Sequence, residues 1–365
     1  MENRIRSIIS PNVLELAAYS VQDASGLIKL DAMENPYSFP EELRQIWLET
    51  IEACDLNRYP DPAAAALAKT LRRIHSIPDS LGLIFGNGSD ELIQLILMAI
   101  AVPGASVLAP EPTFVMYAQI ARSLGLEFVG VPLRSPGFGL DRERMSVAIR
   151  DCRPSVVFLS YPNNPTGNLF EPADIDAVLS IAPGLVVMDE AYSPFARASY
   201  LERVLEFPNL LLMRTVSKLG LAGLRLGYLL GNPAWIEQFN KVRLPYNINV
   251  LTQVTAEFAL SHFIYFERQC DQICTEREKL FDALCQLEGI SAFPSRTNFI
   301  LFRVQDRDAG AVYSRLKNAG ILIKNLSQGH ELLQGCLRVT VGTSTENEHF
   351  IRALDKILSD WNSAE

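Results

Sequence analysis

The sequence predicts an α/β fold in which helices sandwich a mainly parallel sheet of seven strands, followed by a smaller α+β domain. Between residues 81 and 230, seven short apolar runs alternate with helical patterns. Such alternation is typical of a parallel sheet with helices on both faces. After Pro245 the pattern becomes mainly helical, whereas the first forty residues show little periodicity. We therefore expect an N-terminal arm with part of the small domain at 1–40, a large domain at 41–250 and a small domain at 251–365.

The apolar runs give the expected strands of the large sheet, at 81–85, 106–109, 126–131, 155–160, 185–188, 210–213 and 226–230. Helical periodicity predicts helices among them at 90–101, 114–124, 142–150 and 172–181. One long helical stretch at about 250–287 opens the small domain. It continues with strands at 298–304 and 336–341 and helices at 309–319 and 345–359.

Size and charge set limits on the function. The 365 residues are 48% hydrophobic and carry a net charge of -9, which describes an ordinary globular protein of about two domains. Because no block of Lys or Arg is present, neither nucleic acid nor an anionic membrane surface is expected as the main partner. No run reaches the ~18 apolar residues of a spanning helix, and the first residues lack the features of a secretion signal. We therefore expect a cytoplasmic protein.

The cysteines and histidines do not form a recognisable motif. Six cysteines are scattered along the chain, which favours free thiols over a disulfide framework. The four histidines are likewise scattered, without the HExxH pattern or a similar cluster. We therefore expect no metal site.

Lys218 is the most informative residue of the sequence. It is a lone cation between the apolar run 210–213 and a glycine-rich apolar stretch, and Arg225 follows seven residues later. Desolvation disfavours the charged form of a lysine and leaves a neutral, nucleophilic amine. A lysine whose stem packs beside a strand while its amine reaches solvent would give the same local pattern.

The segment Gly86-Asn-Gly-Ser-Asp-Glu91 lies between a predicted strand and an apolar helix. Ser89 or Asp90 is expected to cap that helix, and Gly88 lets the backbone approach a ligand closely. Free N–H groups at the start of a helix bind anions such as phosphate. A simple capped turn remains the alternative.

Two further segments follow predicted strands and bear polar side chains. Tyr161-Pro-Asn-Asn-Pro-Thr-Gly167 presents Asn164 at the end of a strand where open α/β sheets bind ligands, although an Asn-Pro turn with a purely structural role fits equally. Asp189 ends the apolar run of Val186-Val-Met-Asp-Glu-Ala-Tyr192. A buried carboxylate needs a cation or a protonated heterocycle as partner. A magnesium site is the competing interpretation, but the chain has no GxxxxGK[ST] loop.

Together these features match the requirements of pyridoxal phosphate. This cofactor needs an acid at its ring nitrogen, donors at its phenolate oxygen, a phosphate site and a lysine for covalent attachment. The chain resembles the fold-type I pyridoxal-phosphate aminotransferases over nearly its whole length, and among them the histidinol-phosphate aminotransferases. The motifs that carry the closer resemblance are Lys29-Leu-Asp-Ala-Met-Glu-Asn-Pro-Tyr37, Asn57-Arg-Tyr-Pro-Asp-Pro62, Gly86-Asn-Gly-Ser-Asp-Glu91, Pro112-Thr-Phe-Val-Met-Tyr117, Pro245-Tyr-Asn-Ile-Asn249 and Gly335-Cys-Leu-Arg-Val-Thr-Val-Gly-Thr343.

The resemblance implies a role for each matching residue. Catalysis would rest on Lys218, Asp189 and Tyr192, with Lys218 holding the cofactor and Asp189 facing its ring nitrogen. The other cofactor contacts would be Asn164 and Tyr192 at the phenolate oxygen, Phe114 on the ring, Ser89, Asp90, Ser217 and Arg225 at the phosphate, and Tyr59 from the neighbouring subunit of a homodimer. Substrate contacts would be Arg338 as the main anchor of an anionic group, with Tyr19, Asn164 and Lys324.

Three positions depart from the family pattern. Met33 replaces a frequent Asn, the spacing from Lys218 to Arg225 is one residue shorter than in many relatives, and Lys324 stands where some members have an Arg. Lysine offers a point charge and not a planar fork, so a bidentate contact at Lys324 is not expected.

The activity implied by the resemblance is amino transfer between L-histidinol phosphate and 2-oxoglutarate, in the biosynthesis of histidine. The products would be imidazole-acetol phosphate and L-glutamate. The alternatives are an aromatic or broad-specificity aminotransferase and a decarboxylase of the same fold that acts on a phosphorylated amino acid. A non-catalytic, cofactor-binding regulator is a further alternative, which the acidic charge and the lack of a DNA-binding extension disfavour.

Overall fold

The computed structural model describes residues 2–18 and 21–362. Its strands, numbered in chain order, are β1 Ile28–Lys29, β2 Gly82–Gly86, β3 Ser106–Glu111, β4 Glu127–Pro132, β5 Val156–Ser160, β6 Leu185–Asp189, β7 Leu210–Thr215, β8 Gly227–Gly231, β9 Ile290–Ala292, β10 Phe299–Val304, β11 Ile321–Leu322, β12 Lys324–Asn325 and β13 Cys336–Thr340. All seven predicted strands of the large sheet are present as β2 to β8, and their ends lie within two residues of the predicted ones.

The α-helices are α1 Glu2–Ile8, α2 Pro11–Leu14, α3 Glu41–Glu52, α4 Ala65–His75, α5 Gly88–Ala99, α6 Met116–Ser123, α7 Arg142–Cys152, α8 Pro172–Ile181, α9 Ser193–Ala196, α10 Pro233–Val242, α11 Val250–Ser261, α12 Phe263–Cys285, α13 Ala309–Asn318 and α14 Ser344–Asn362. The four helices predicted within the large sheet region are found as α5 to α8. None of the helices in the described part of the chain is long and apolar enough to cross a membrane.

The large sheet is mainly parallel. Its strand order is β2-β8-β7-β6-β5-β3-β4, and β8 runs opposite to the other six strands. Because β5, β6 and β7 are parallel neighbours, their carboxyl ends meet at one edge, where open α/β sheets bind ligands. This arrangement brings the segments after these three strands together.

Both faces of the large sheet are covered. Along β7, Leu210 and Leu212 belong to one hydrophobic cluster and Leu211 and Met213 to a second one. Successive side chains of a strand point to opposite faces, so the two clusters lie on the two faces. The predicted sandwich of helices around the sheet is confirmed.

A second sheet of four antiparallel strands has the order β12-β13-β10-β9. A separate parallel pair joins β1 to β11. Residues near position 28 therefore lie beside residues near position 321, and the N-terminal segment returns toward the strands that follow residue 289.

Two expectations for helices are wrong. The stretch 250–287 is two helices and not one, because the chain breaks at His262, whose backbone has φ -110 and ψ 33. Helix α5 begins at Gly88, and its N-cap is Asn87 and not Ser89 or Asp90. Instead, the Glu91 carboxylate accepts a hydrogen bond from the Asn87 backbone N–H, so this side chain serves a donor at the start of the helix.

Candidate active site

A cavity at the carboxyl ends of β5, β6 and β7 collects most of the predicted site residues. Those that line it are Ser89, Asp90, Phe114, Asn164, Asp189, Tyr192, Ser217, Lys218 and Arg225, and the remaining lining residues are Met33, Ser160, Ala191 and Thr215. The parallel arrangement of the strands explains the convergence, because each strand delivers the residues that follow it to the same edge.

Lys218 follows β7 in a short 3-10 turn. Its Nζ lies 3.4 Å from the carbonyl oxygen of Ala32 and 5.7 Å from the centre of the Tyr192 ring. Burial, followed by the positive charge of Arg338, lowers the pKa of Lys218 to about 8. The neutral amine is therefore much more populated than for a lysine in water.

Asp189 is the last residue of β6 and is 3% exposed. Its Oδ2 accepts a hydrogen bond from the Tyr117 hydroxyl (2.6 Å), and its Oδ1 accepts one from the Ala191 backbone N–H (3.1 Å). Burial raises the pKa of Asp189 to about 6, although both hydrogen bonds lower it. A carboxylate oxygen can accept more than one hydrogen bond, so Asp189 can also serve a donor in the cavity.

Asn164 connects Arg338 to Tyr192. Its Oδ1 accepts a hydrogen bond from Arg338 Nη1 (2.6 Å), and its Nδ2 donates one to the Tyr192 hydroxyl (3.1 Å). Arg338 lies on β13, donates from Nη2 to the carbonyl oxygen of Asp31 (3.0 Å), and sits over the Phe299 ring. The predicted substrate anchor and the predicted cofactor donors are thus in direct contact.

The start of α5 and Arg225 lie together at the cavity. Gly88 has φ +79, and a Cβ there would lie 2.6 Å from Arg225 Nη2, so the absence of a side chain admits the guanidinium. Arg225 pairs with the Asp90 carboxylate at 3.0 Å. An acidic side chain repels an anion, so Asp90 can bind a phosphate only through its backbone N–H.

Four predicted residues are not among those that line the cavity. One is Arg338, which contacts the lining residue Asn164. Tyr59 is 81% exposed and stacks on Tyr246 with ring centres 4.6 Å apart. Lys324 pairs with Arg338 across strands β12 and β13, which brings its backbone next to that of the predicted anchor. Tyr19 lies outside the described residues.

Several residues of the site were given no role in the sequence analysis. Tyr117 contacts Asp189 from α6, and Glu190 forms a buried ion pair with Arg214 at 2.8 Å. Met33 lies in the cavity with a left-handed backbone (φ 54), and its Sδ is 3.5 Å from the Tyr192 hydroxyl oxygen. Tyr117 and Met33 fall within motifs quoted above, and membership of these motifs was the signal that could have identified them. Glu190 follows Asp189 directly.

Comparison with known proteins identifies the family and agrees with the fold. The family model described as "Aminotransferase class I and II" matches residues 25–354. Histidinol-phosphate aminotransferase 2 of Nitrosococcus oceani is 54% identical over 97% of this chain and 98% of its own length. Histidinol-phosphate aminotransferase 1 of Ralstonia nicotianae is 50% identical over 99% of this chain and 97% of its own length. The fold also matches the crystal structure of histidinol-phosphate aminotransferase from Sinorhizobium meliloti in complex with pyridoxal-5'-phosphate, with a TM-score of 0.84, 24% identity and coverage of 97% and 98% of the two chains.

The chain therefore belongs to the class I and II aminotransferases and, within them, to the histidinol-phosphate aminotransferases. It is a pyridoxal-phosphate-dependent enzyme that acts on small molecules.

The donor set of the cavity fits this cofactor. Asp189 provides a carboxylate, Asn164 and Tyr192 provide neutral polar groups, and Phe114 provides a flat aromatic ring. Lys218 provides an amine of lowered pKa, and Arg225 places a guanidinium beside the start of α5. Each matches one chemical group of pyridoxal phosphate.

Proposed function

We propose that the protein transfers an amino group between L-histidinol phosphate and 2-oxoglutarate, with imidazole-acetol phosphate and L-glutamate as products. The observation that carries this proposal is the position of Arg338. It is 6% exposed, touches Asn164, and is close enough to Lys218 to lower the pKa of that amine. A cation next to the reacting amine suits substrates that carry an anionic group.

We also propose the cofactor contacts. Lys218 would hold the cofactor covalently, Asp189 would face its ring nitrogen, and Phe114 would stack on its ring. Asn164 and Tyr192 would bind its phenolate oxygen. Its phosphate would be held by Arg225, the hydroxyls of Ser89 and Ser217, and the backbone N–H of Asp90.

Three side chains, those of Lys218, Asp189 and Tyr192, would take part in the reaction. When bound, pyridoxal phosphate supplies a covalent link to the substrate amine and an electron sink. With its lowered pKa, Lys218 Nζ would be available as a neutral amine to hold the cofactor and, once freed by the substrate amine, to carry a proton between two carbon atoms. Ionised Asp189 would keep the ring nitrogen protonated, and Tyr192 would form a hydrogen bond with the phenolate oxygen.

Arg338 would serve both substrates. Its guanidinium can pair with the phosphate of histidinol phosphate in one half-reaction and with a carboxylate of glutamate in the other. We propose that Tyr19 and Asn164 assist it and that Lys324, on the neighbouring strand, adds positive charge.

We propose further that the enzyme is a cytoplasmic homodimer without a nucleic-acid or membrane partner. Tyr59 supports the dimer, because an aromatic side chain that is 81% exposed is available to a second subunit, where it would reach the cofactor phosphate.

The test is an amino-donor panel with 2-oxoglutarate, in which histidinol phosphate is compared with histidinol, phenylalanine, tyrosine and threonine phosphate. A charge-assisted contact is worth about 1.5–3 kcal/mol, so Arg338→Ala should lose at least about tenfold in kcat/KM for histidinol phosphate and for glutamate. Histidinol should react poorly with the parent enzyme and lose much less in the variant.

Cofactor loading, followed by visible absorbance, is the control that Arg338→Ala still folds and binds pyridoxal phosphate. Equal activity of the parent enzyme on histidinol and histidinol phosphate would contradict phosphate recognition and indicate a broad-specificity aminotransferase. Release of CO2 from threonine phosphate would indicate the decarboxylase.

A further inference from the structure

Tyr117 is buried behind the cavity and contacts the carboxylate of Asp189. It is fully buried, and its hydroxyl donates to Asp189 Oδ2 at 2.6 Å. The ring stacks on Phe158, with centres 4.6 Å apart and planes 10° apart, and it meets the edge of Phe114 at 5.6 Å. Stacking on Phe158 therefore holds the plane of the Tyr117 ring.

We propose that Tyr117 is a positioning residue of the reaction. Its hydroxyl keeps Asp189 ionised and oriented, so that the proton between Asp189 and the cofactor ring nitrogen stays on the nitrogen. This inference rests on the proposed role of Asp189. Tyr117 acts through the carboxylate, and through Phe114 it also supports the face on which the ring would stack.

Tyr117 is the donor to the ionised Asp189 carboxylate. Burial and the neighbouring charge of Asp189 raise the pKa of Tyr117 well above its usual range, so the hydroxyl keeps its proton at any pH at which the enzyme works. A donor that points at a carboxylate favours the ionised over the protonated form of the acid. The Ala191 backbone N–H helps from the other oxygen.

Asp189 needs this help because its surroundings oppose ionisation. Burial is the largest influence and raises the pKa of Asp189 to about 6. The charged or titratable groups that surround it are Asp90, Glu190, Tyr117 and Tyr192, together with Lys218 and Arg225 across the cavity. Asp90 and Glu190 act in the same direction as burial, whereas Tyr117 supplies the largest opposing influence on the pKa.

A purely structural role is the alternative, in which Tyr117 only fills space between Phe158 and Phe114. Tyr117→Phe separates the two roles, since it keeps the ring and removes the hydroxyl. The matched control is Tyr200→Phe. Tyr200 is also buried, but its hydroxyl has no hydrogen-bond partner within 2–18 and 21–362.

Two measurements report on the proton directly. In the apoprotein, carboxyl NMR of Asp189 should give a pKa near 6 in the parent and about one unit higher in Tyr117→Phe, because a hydrogen bond to a charged group is lost. In the holoenzyme, a ¹⁵N-labelled cofactor reports the ring nitrogen. In Tyr117→Phe its resonance should move from the position of a protonated nitrogen toward that of a neutral one, because the ratio of protonated to neutral nitrogen falls by about tenfold.

Kinetics add a third readout. We expect Tyr117→Phe to lower kcat about tenfold with little change in KM, because substrate contacts are intact and only the electron-withdrawing power of the ring falls. Tyr200→Phe should match the parent in all three measurements. If Tyr117→Phe matches the Tyr200→Phe control in both NMR experiments, Tyr117 has only a structural role.

Asp189→Asn separates failure of this inference from failure of the proposed function. Near-normal turnover of Asp189→Asn would contradict the role of Asp189 itself. A weak Asp189→Asn enzyme together with unchanged Tyr117→Phe resonances would overturn only the inference on Tyr117.

Should Tyr117→Phe not fold, the parent apoprotein provides the test. The proton of the Tyr117 hydroxyl should give a downfield resonance above pH 6, and this resonance should move upfield as Asp189 is protonated. Its absence would overturn the inference.

Discussion

The pKa of the Lys218 amine depends on burial and on Arg338, a residue far away in sequence. Burial is the larger influence on its pKa, and Arg338, 120 positions later, adds a repulsive charge. With a pKa of about 8, roughly a tenth of the amine is neutral at pH 7, compared with less than about a thousandth for a lysine in water. The neutral, nucleophilic form of Lys218 is therefore populated before any substrate binds.

Acetylation of Lys218 in the apoprotein should increase with pH around a midpoint near 8, because only the neutral amine reacts. Competitive labelling with acetic anhydride, followed by peptide mass spectrometry, measures this midpoint, with exposed Lys241 as the internal reference. In Arg338→Gln the midpoint should move to higher pH, since a repelling cation is removed. A midpoint above 10 in the parent would contradict the lowered pKa.

Sequence patterns identified part of the site for a physical reason. Lys218, Asp189 and Asn164 were predicted because each follows a buried strand, and parallel strands deliver such residues to one edge. Periodicity also places Arg338 on a strand, but it does not say that this guanidinium meets Asn164, 174 positions away. The contact of Tyr117 with Asp189 was missed for the same reason, since it depends on how α6 packs against the sheet.

At the scale of elements, one ion pair links neighbouring strands β6 and β7. Glu190 follows β6 and is 0% exposed, and Arg214 lies on β7. Arg214 Nε and Nη2 both donate to Glu190 Oε2, at 3.0 and 2.8 Å. The pair lies next to Asp189 on one strand and close to Lys218 on the other, so it fixes the spacing of the segments that bear them.

Arg214→Met should destabilise the fold by about 3–5 kcal/mol, because it leaves the Glu190 carboxylate buried without its cation. Urea unfolding measures the loss. The matched control is Arg197→Met, which removes the same type of side chain from an ion pair of the same length, 2.8 Å, at the surface. Exposed pairs contribute little, so equal losses in the two variants would contradict the proposed importance of the buried pair.

Elements were predicted where the local pattern was sufficient. The strands β2 to β8 were found because each is a short apolar run between turn residues. The direction of β8 was not predicted, since an apolar run looks the same whichever way it pairs. The break at His262 was also missed, because residues on both sides of it keep a helical pattern.

At the scale of the whole molecule, an exposed aromatic pair suggests a contact with a second subunit. Tyr59 and Tyr246 stack on each other while remaining 81% and 41% exposed, and Leu244 nearby in sequence is 71% exposed. Apolar side chains that cluster at a surface commonly mark an interaction site. The division into 1–40, 41–250 and 251–365 stays a prediction at this scale.

Mixing Tyr59→Phe with Lys218→Ala should restore activity if Tyr59 acts across a dimer interface. After subunit exchange, a mixed dimer has one site with both changes and one site with neither, so that second site should work. The amino-transfer rate of the mixture, compared with the sum of the separate variants, is the measurement. A mixture that equals this sum under verified exchange would place the action of Tyr59 within its own subunit.

The segment around Met33 has a consequence for how the enzyme is made. Its backbone is held by Asn298, Thr340 and Arg338, since Asn298 donates to the Met33 carbonyl oxygen, Thr340 accepts from the Met33 N–H, and Arg338 donates to the Asp31 carbonyl oxygen. On a ribosome, residue 33 emerges early, whereas Arg338 and Thr340 emerge nearly last. A nascent chain that ends near residue 300 would carry Lys218 and the whole large sheet, but it would lack two of the three residues that hold the Met33 segment at the cavity. We therefore expect arrested chains of that length, released and treated with pyridoxal phosphate and borohydride, to be labelled at Lys218 far less than chains that extend past residue 341, so that synthesis of the protein is nearly complete before it can retain its cofactor.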